Sequence, residues 1–141
     1  KNIIAIAAGV VHGLGYGYNT TSGLITRGLA EMNRFAVDLG AHPATLMGLA
    51  GLGDLILTCT GELSRNRQVG VELGKGKSIA EITSGMRMVA EGIRTTQAVQ
   101  ALSKQRKISM PITDQVYRVL YEKQDPRTAI LELMSRELKQ E

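Results

Sequence analysis

The chain has 141 residues, 43% hydrophobic and 21% charged, with a formal net charge of +4. That is the composition of one globular domain with its own core, and it excludes a disordered chain. The mild positive charge favours anionic ligands, but aromatics are only 4% and tryptophan is absent, so nucleic acid would find no stacking platform.

The pattern is helical nearly throughout. Asn2 to about His12 reads as a helix that is apolar on most sides and therefore central in the core. Gly13-Leu-Gly-Tyr-Gly17 ends it. Asn19 or Thr20 opens a long helix to about Leu39, in which Ile25, Leu29, Met32, Ala36 and Leu39 recur at helical spacing. Gly40 is placed to stop it, and Pro43 to start a short helix. Ser64 is positioned as the N-cap of a helix over Arg65 to Leu73, closed by Gly74. Ser78 and Glu81 have capping-box spacing for a brief helix. A further helix covers about Thr95 to Arg106. Pro111 precedes one carrying Ile112, Val116, Val119 and Leu120, and Asp125-Pro126 begins the last, with Ile130, Leu133, Met134 and Leu138 on one face. No stretch alternates cleanly, so the expected fold class is all-α.

Several chemistries can be set aside. The single cysteine, Cys59, allows no internal disulfide and suits a reducing compartment; between two threonines in an apolar run it reads as a small buried side chain. His12 and His42 lack the spacing of a zinc site, so no metal is expected. Residues 2 to 26 carry no formal charge, but glycines and polar residues interrupt them, so no membrane span is expected. Gly13, Gly15 and Gly17 follow a helix rather than a strand, which argues for a close-packed helix bend against a dinucleotide fingerprint. Lys1 runs straight into helical pattern, so the chain reads as part of a longer protein.

The chemically informative stretch runs from Gly51 to Arg67. Asp54 is the one ionised residue between Pro43 and Gly61. A lone carboxylate in an apolar run has to be paired or hydrogen-bonded, because a bare buried charge is costly. Lys1 is a candidate partner, and such a lysine could exchange a proton with a substrate hydroxyl; by position alone it is simply a terminal lysine. Ser64-Arg65-Asn66-Arg67 gathers donors at a helix start, where N–H groups, dipole and guanidinium suit a phosphate. A capped helix with a solvated basic first turn is the equal alternative, although basic residues there oppose the dipole. Met86 and Met88 read as packing or adaptable surface. Glu91, just before Gly92, reads as a helix-opening acid or a ligand contact.

Taken together, these blocks resemble the C-terminal, substrate-binding domain of bacterial-type NAD(P)-dependent glycerol-3-phosphate dehydrogenase. They are Lys1-Asn2 with its apolar helix, Leu24 to Met32, Gly48 to Leu55, Thr58-Cys59, Ser64 to Arg67, Met88 to Gly92 and Met110-Pro-Ile112. They cover nearly the whole chain, in order. The resemblance implies a helical domain, residues 1–141, like the C-terminal domain of 6-phosphogluconate dehydrogenase, with a Rossmann NAD(P)-binding domain outside it. It implies interconversion of dihydroxyacetone phosphate and sn-glycerol 3-phosphate with NAD or NADP, feeding glycerophospholipid synthesis, in a cytoplasmic homodimer.

By the same resemblance Lys1 would be the proton donor and acceptor, and Asp54 the acid that orients it and the substrate. Ser64, Arg65 and Asn66 would bind substrate, with Asn2 and Thr58 in support. Arg65, Val89 and Glu91 would contact the cofactor. An isolated copy of this chain is expected to be inactive. The alternatives are another phosphate-substrate reductase of the same superfamily, and a non-catalytic helical module that binds anions.

Overall fold

The structure, a computed structural model, describes residues 1–86 and 88–136. Among them are α1 (Asn2–Gly13), α2 (Tyr18–Asp38), a 3-10 turn (Pro43–Met47), a π turn (Leu49–Gly53), α3 (Asp54–Thr60), α4 (Arg65–Gly74), α5 (Ile79–Ser84), α6 (Glu91–Arg106), α7 (Pro111–Tyr121) and α8 (Pro126–Met134). The all-α expectation holds among the described residues. Leu138, expected on the last helix, lies outside them.

The centre is α1. Every residue from Ile3 to Val11 is buried, as a helix apolar on all sides requires. Its neighbours α2, α3, α4, α6 and α7 all pack on it. The tightest of these contacts, with α4, is made by glycines. Gly9 lies against Gly70, and Gly13 against Gly74. Because the pairs occur in the same order along both helices, α1 and α4 run parallel, with both N-termini at one end.

The first glycine cluster divides its tasks. Gly13 packs under Val71 and Gly74, Gly15 turns the chain at φ +81, and Gly17 is the N-cap of α2. This is the close-packed bend expected. The Ser64 N-cap is present, its side chain accepting from Arg67 N, and the Ser78–Glu81 capping box is complete. His42 caps the 3-10 turn through Nδ1.

Two elements differ from expectation. The helix expected from Thr95 begins at Glu91, and α3 had no counterpart in the sequence reading. Each opens on an acid, Glu91 or Asp54, but neither has a side-chain N-cap to mark its start. Ala90 and Gly53 cap nothing with their side chains. α3 is supported by burial of Leu55 and Cys59 and by back-bonds from Thr58 Oγ1 to Asp54 O at 2.6 Å and from Thr60 Oγ1 to Ile56 O at 2.8 Å. Among the described residues, no helix is long and apolar enough to cross a membrane.

Candidate active site

The parallel packing of α1 on α4 brings Lys1 and Asn2 beside Ser64, Arg65 and Asn66. α6 starts at the same place, since Gly92 sits against Asn2, Ile6 and Asn66. Three helix N-termini therefore converge, and each brings the positive end of its dipole. This point is suited to an anion before any side-chain charge is counted.

Lys1 Nζ donates to Asp54 Oδ2 at 2.6 Å across 53 residues of sequence. The pairing expected for Asp54 is present, but the burial assumed for it is not. The side chains of Lys1 and Asp54 are 43% and 39% exposed. Asp54 is the first residue of α3 and stands at the solvent rim, so it was never a bare charge in the core. The bond from Lys1 is the main reason its carboxyl is held below the usual carboxylate range, and Thr58 adds to this. Thr58 Oγ1 lies 3.5 Å from Asp54 Oδ1, bridging it to the cleft wall.

On the facing wall, Ser64 Oγ accepts from Arg67 N at 3.3 Å and shapes the first turn of α4. Arg65 is exposed. Asn66 Oδ1 accepts the N–H of Gly92 at 2.9 Å, joining the starts of α4 and α6. Between the walls lies an open cleft of about 560 Å³, lined by Lys1, Asn2, Thr58, Ser64, Arg65, Asn66 and Glu91 among others. A small organic phosphate fits such a volume. Leu57 and Leu63 stand at its mouth, 69% and 94% exposed.

The structure thus gathers most of the residues singled out from sequence. Asp54 joins them through Lys1. Val89 does not line the cleft; it is 45% exposed in the segment before α6. Glu91 is both a cleft residue and the helix-opening acid at the start of α6. Cys59 is buried, and desolvation pushes its thiol up to about 12, so it is inert at neutral pH. Among the described residues, no three metal-ligating side chains come together.

Sequence reasoning missed two residues. Gly92 carries no local signal, because its role depends on a partner 26 residues away. Glu31 was treated only as part of a matching block, yet it is 1% exposed. Its carboxylate accepts from Ile112 N at 2.8 Å, Thr113 N at 2.9 Å and Thr113 Oγ1 at 2.6 Å. It caps α7, whose own N-cap, Met110, offers no acceptor side chain. The available signal was its position seven residues after Leu24 on the buried face of α2.

Known proteins resemble this chain over its whole length. Residues 1–131 match the family described as NAD-dependent glycerol-3-phosphate dehydrogenase C-terminus. The whole chain is 57% identical over 141 residues to a glycerol-3-phosphate dehydrogenase of the NAD(P)+ type from Oleidesulfovibrio alaskensis, covering 43% of it. It is 59% identical to the one from Geobacter metallireducens, covering 42%. The chain thus spans well under half the length of these relatives. The crystal structure of glycerol-3-phosphate dehydrogenase from Coxiella burnetii superposes with a TM-score of 0.93 at 47% identity, over 96% of this chain and 42% of that one. The enzyme from Saccharomyces cerevisiae gives 0.84 at 26% identity, over 96% and 40%.

Proposed function

Because this chain belongs to the C-terminal domain family of NAD-dependent glycerol-3-phosphate dehydrogenases, we propose that its cleft binds the phosphorylated substrate and supplies the proton-transfer group of that reaction. The reaction is interconversion of dihydroxyacetone phosphate and sn-glycerol 3-phosphate, serving glycerophospholipid synthesis. The observation that carries this reading is one pair in one place. A lysine ammonium held by a carboxylate faces an anion-binding helix start across a cleft of substrate size.

The residues act as follows. Arg65, Asn66 and the first-turn N–H groups of α4 take the phosphate, with Ser64 shaping that turn and Asn2 and Thr58 closing the sides. Binding energy gained at the phosphate, remote from the reacting carbon, orients the ketone. Lys1 Nζ is directed at the carbonyl oxygen and gives it a proton as negative charge develops there. In the reverse direction the amine takes the hydroxyl proton. Asp54 holds Lys1 in register and balances its charge.

NAD or NADP, when bound, supplies or accepts the hydride. The residues at the cleft rim fit such a group. Arg65 is an exposed guanidinium able to meet a diphosphate, and Glu91 can accept from hydroxyl or amide; Val89, outside the cleft, offers only an exposed apolar side chain two residues before Glu91. The exposed Leu57 and Leu63 at the cleft support docking against a nucleotide-binding domain of the same protein. The reading includes a cytoplasmic homodimer, and the reduced, buried Cys59 suits that compartment.

The test is oxidation of NADH or NADPH by the full-length protein. Turnover should be rapid with dihydroxyacetone phosphate and negligible with unphosphorylated dihydroxyacetone, and Arg65→Ala should raise KM for the phosphorylated ketone at least tenfold, roughly the worth of one charge-assisted contact. No turnover with either ketone would reduce the domain to a non-catalytic anion binder.

A further inference from the structure

A carboxamide has an acceptor end and a donor end, and Asn66 spends the acceptor on the fold. Its Oδ1 receives the N–H of Gly92 at 2.9 Å. A backbone N–H cannot bond to an amide nitrogen, so this contact fixes which way the carboxamide is turned. Nδ2 is then the end left for the cleft that Asn66 lines, and it makes no hydrogen bond among the described residues. An unpaired Asn would turn either end toward a ligand, and the oxygen end would repel an anion.

Gly92 secures this arrangement in a second way. It is buried in the first turn of α6, where a Cβ would fall 2.6 Å from Asn66 Oδ1, 2.9 Å from Ile6 Cδ1 and 3.1 Å from Asn2 O. Ile6 Cδ1 is the end of a flexible chain and can swing aside. Asn2 O belongs to the backbone of the central helix and cannot. The Asn66 side chain is therefore the group that would have to give way.

We infer that Gly92 is a positioning residue for substrate: its N–H and its missing side chain together hold the Asn66 carboxamide with Nδ2 toward the phosphate. This rests on the proposed reading of the cleft as the substrate site. α6 thereby takes its cap from α4 and in return orients a substrate-binding side chain.

The test uses the full-length enzyme and two readouts. The first is KM for dihydroxyacetone phosphate in Gly92→Ala, Asn66→Ala and the double variant. Each single variant should raise KM about tenfold or more, the scale of one lost hydrogen bond to a charged group. The double variant should match Asn66→Ala within about twofold, because the two residues act through one contact. Effects that multiply would show that Gly92 acts by some other route and would overturn the inference.

The second readout is hydrogen exchange at the Gly92 amide, which does not depend on turnover or on Gly92→Ala folding. Exchange should be slow in the wild type and in Asn66→Asp, which keeps an acceptor, and faster in Asn66→Ala. Asn66→Asp should also raise KM, since an oxygen replaces Nδ2. Gly92 exchange that is unchanged in Asn66→Ala would overturn the positioning role even in an active enzyme. A wild type that turns over no phosphorylated ketone would overturn the substrate reading, and this inference with it, whatever Gly92 exchange shows.

Discussion

Gly9 of α1 and Gly70 of α4 meet backbone to backbone, with no side chain between them. A Cβ on Gly70 would penetrate the Ile6 carbonyl oxygen and come within 2.9 Å of the Gly9 Cα. This contact sets the distance between the two helices whose N-termini form the cleft, so the spacing of Lys1 and Arg65 depends on a pair buried roughly one to two helical turns further along.

Gly70→Ala should destabilise the protein despite alanine's better helix propensity. The propensity gain is about 1 kcal/mol. The overpacking cost is about 1–3 kcal/mol and rises where backbone rather than a side-chain tip must move. Denaturant unfolding should show a lowered midpoint, and KM for the phosphorylated ketone should rise as α4 is displaced. A midpoint at or above wild type would show that the helices part freely.

The Lys1–Asp54 pair should matter for catalysis far more than for stability. Both side chains are over one-third exposed, and such pairs contribute little to folding. Lys1→Met should lower kcat about 10²–10⁴-fold, the usual worth of general acid–base catalysis. Asp54→Asn should lower kcat by less, with an unchanged melting temperature. Because the Asp54 carboxyl is held below the usual range, its hold on Lys1 persists above its unfolded pKa and is lost as pH falls through the lowered folded value. Loss of this hold should therefore appear only at more acid pH than an ordinary carboxylate would give. An acid limb that disappears in Asp54→Asn yet lies near neutrality would contradict this.

Glu31 titrates in the opposite sense. Burial raises its pKa, and the bonds from Thr113 and Ile112 only partly counter that. The folded state therefore binds its proton more tightly than the unfolded state does. The resulting stability is full below the unfolded pKa and is lost as pH rises through the raised folded value. Glu31→Gln should flatten that dependence. It should also cost about 1–3 kcal/mol, because an amide nitrogen then faces a backbone N–H that needs an acceptor. Unfolding midpoints measured from acid to neutral pH check both effects.

Cys59 should resist iodoacetamide in the native protein and react fully once unfolded. It is 1% exposed and its thiol is pushed up to about 12, so both access and thiolate are lacking. Stoichiometric labelling of the folded protein at neutral pH would show that α3 opens readily.

Much of the fold was legible because its signals are local. The glycine turns, the Ser64 and Ser78 caps, Pro111 and Pro126 at helix starts, and the apolar run of α1 each act through neighbours in sequence. Several of the family blocks also sit at element starts: Lys1-Asn2 at α1, Ser64 to Arg67 at α4, Met88 to Gly92 at α6 and Met110-Pro-Ile112 at α7. Val89 shows the limit of that approach, since proximity to Glu91 in sequence did not bring it into the cleft.

By itself, the sequence determined the helical class and most helix limits, and it singled out most of the residues that line the cleft. Only the tertiary structure decided how those residues face one another. α6 and α7 take their N-terminal acceptors from Asn66 and Glu31, 26 and 81 residues away. Asp54 finds its cation 53 residues away, and glycines in separate helices set the spacing of the cleft walls. Helix propensity and capping motifs act over a few residues and report on one turn. A hydrogen bond or a backbone contact between helices exists only after chain closure has brought both partners together, and no window on the sequence contains both.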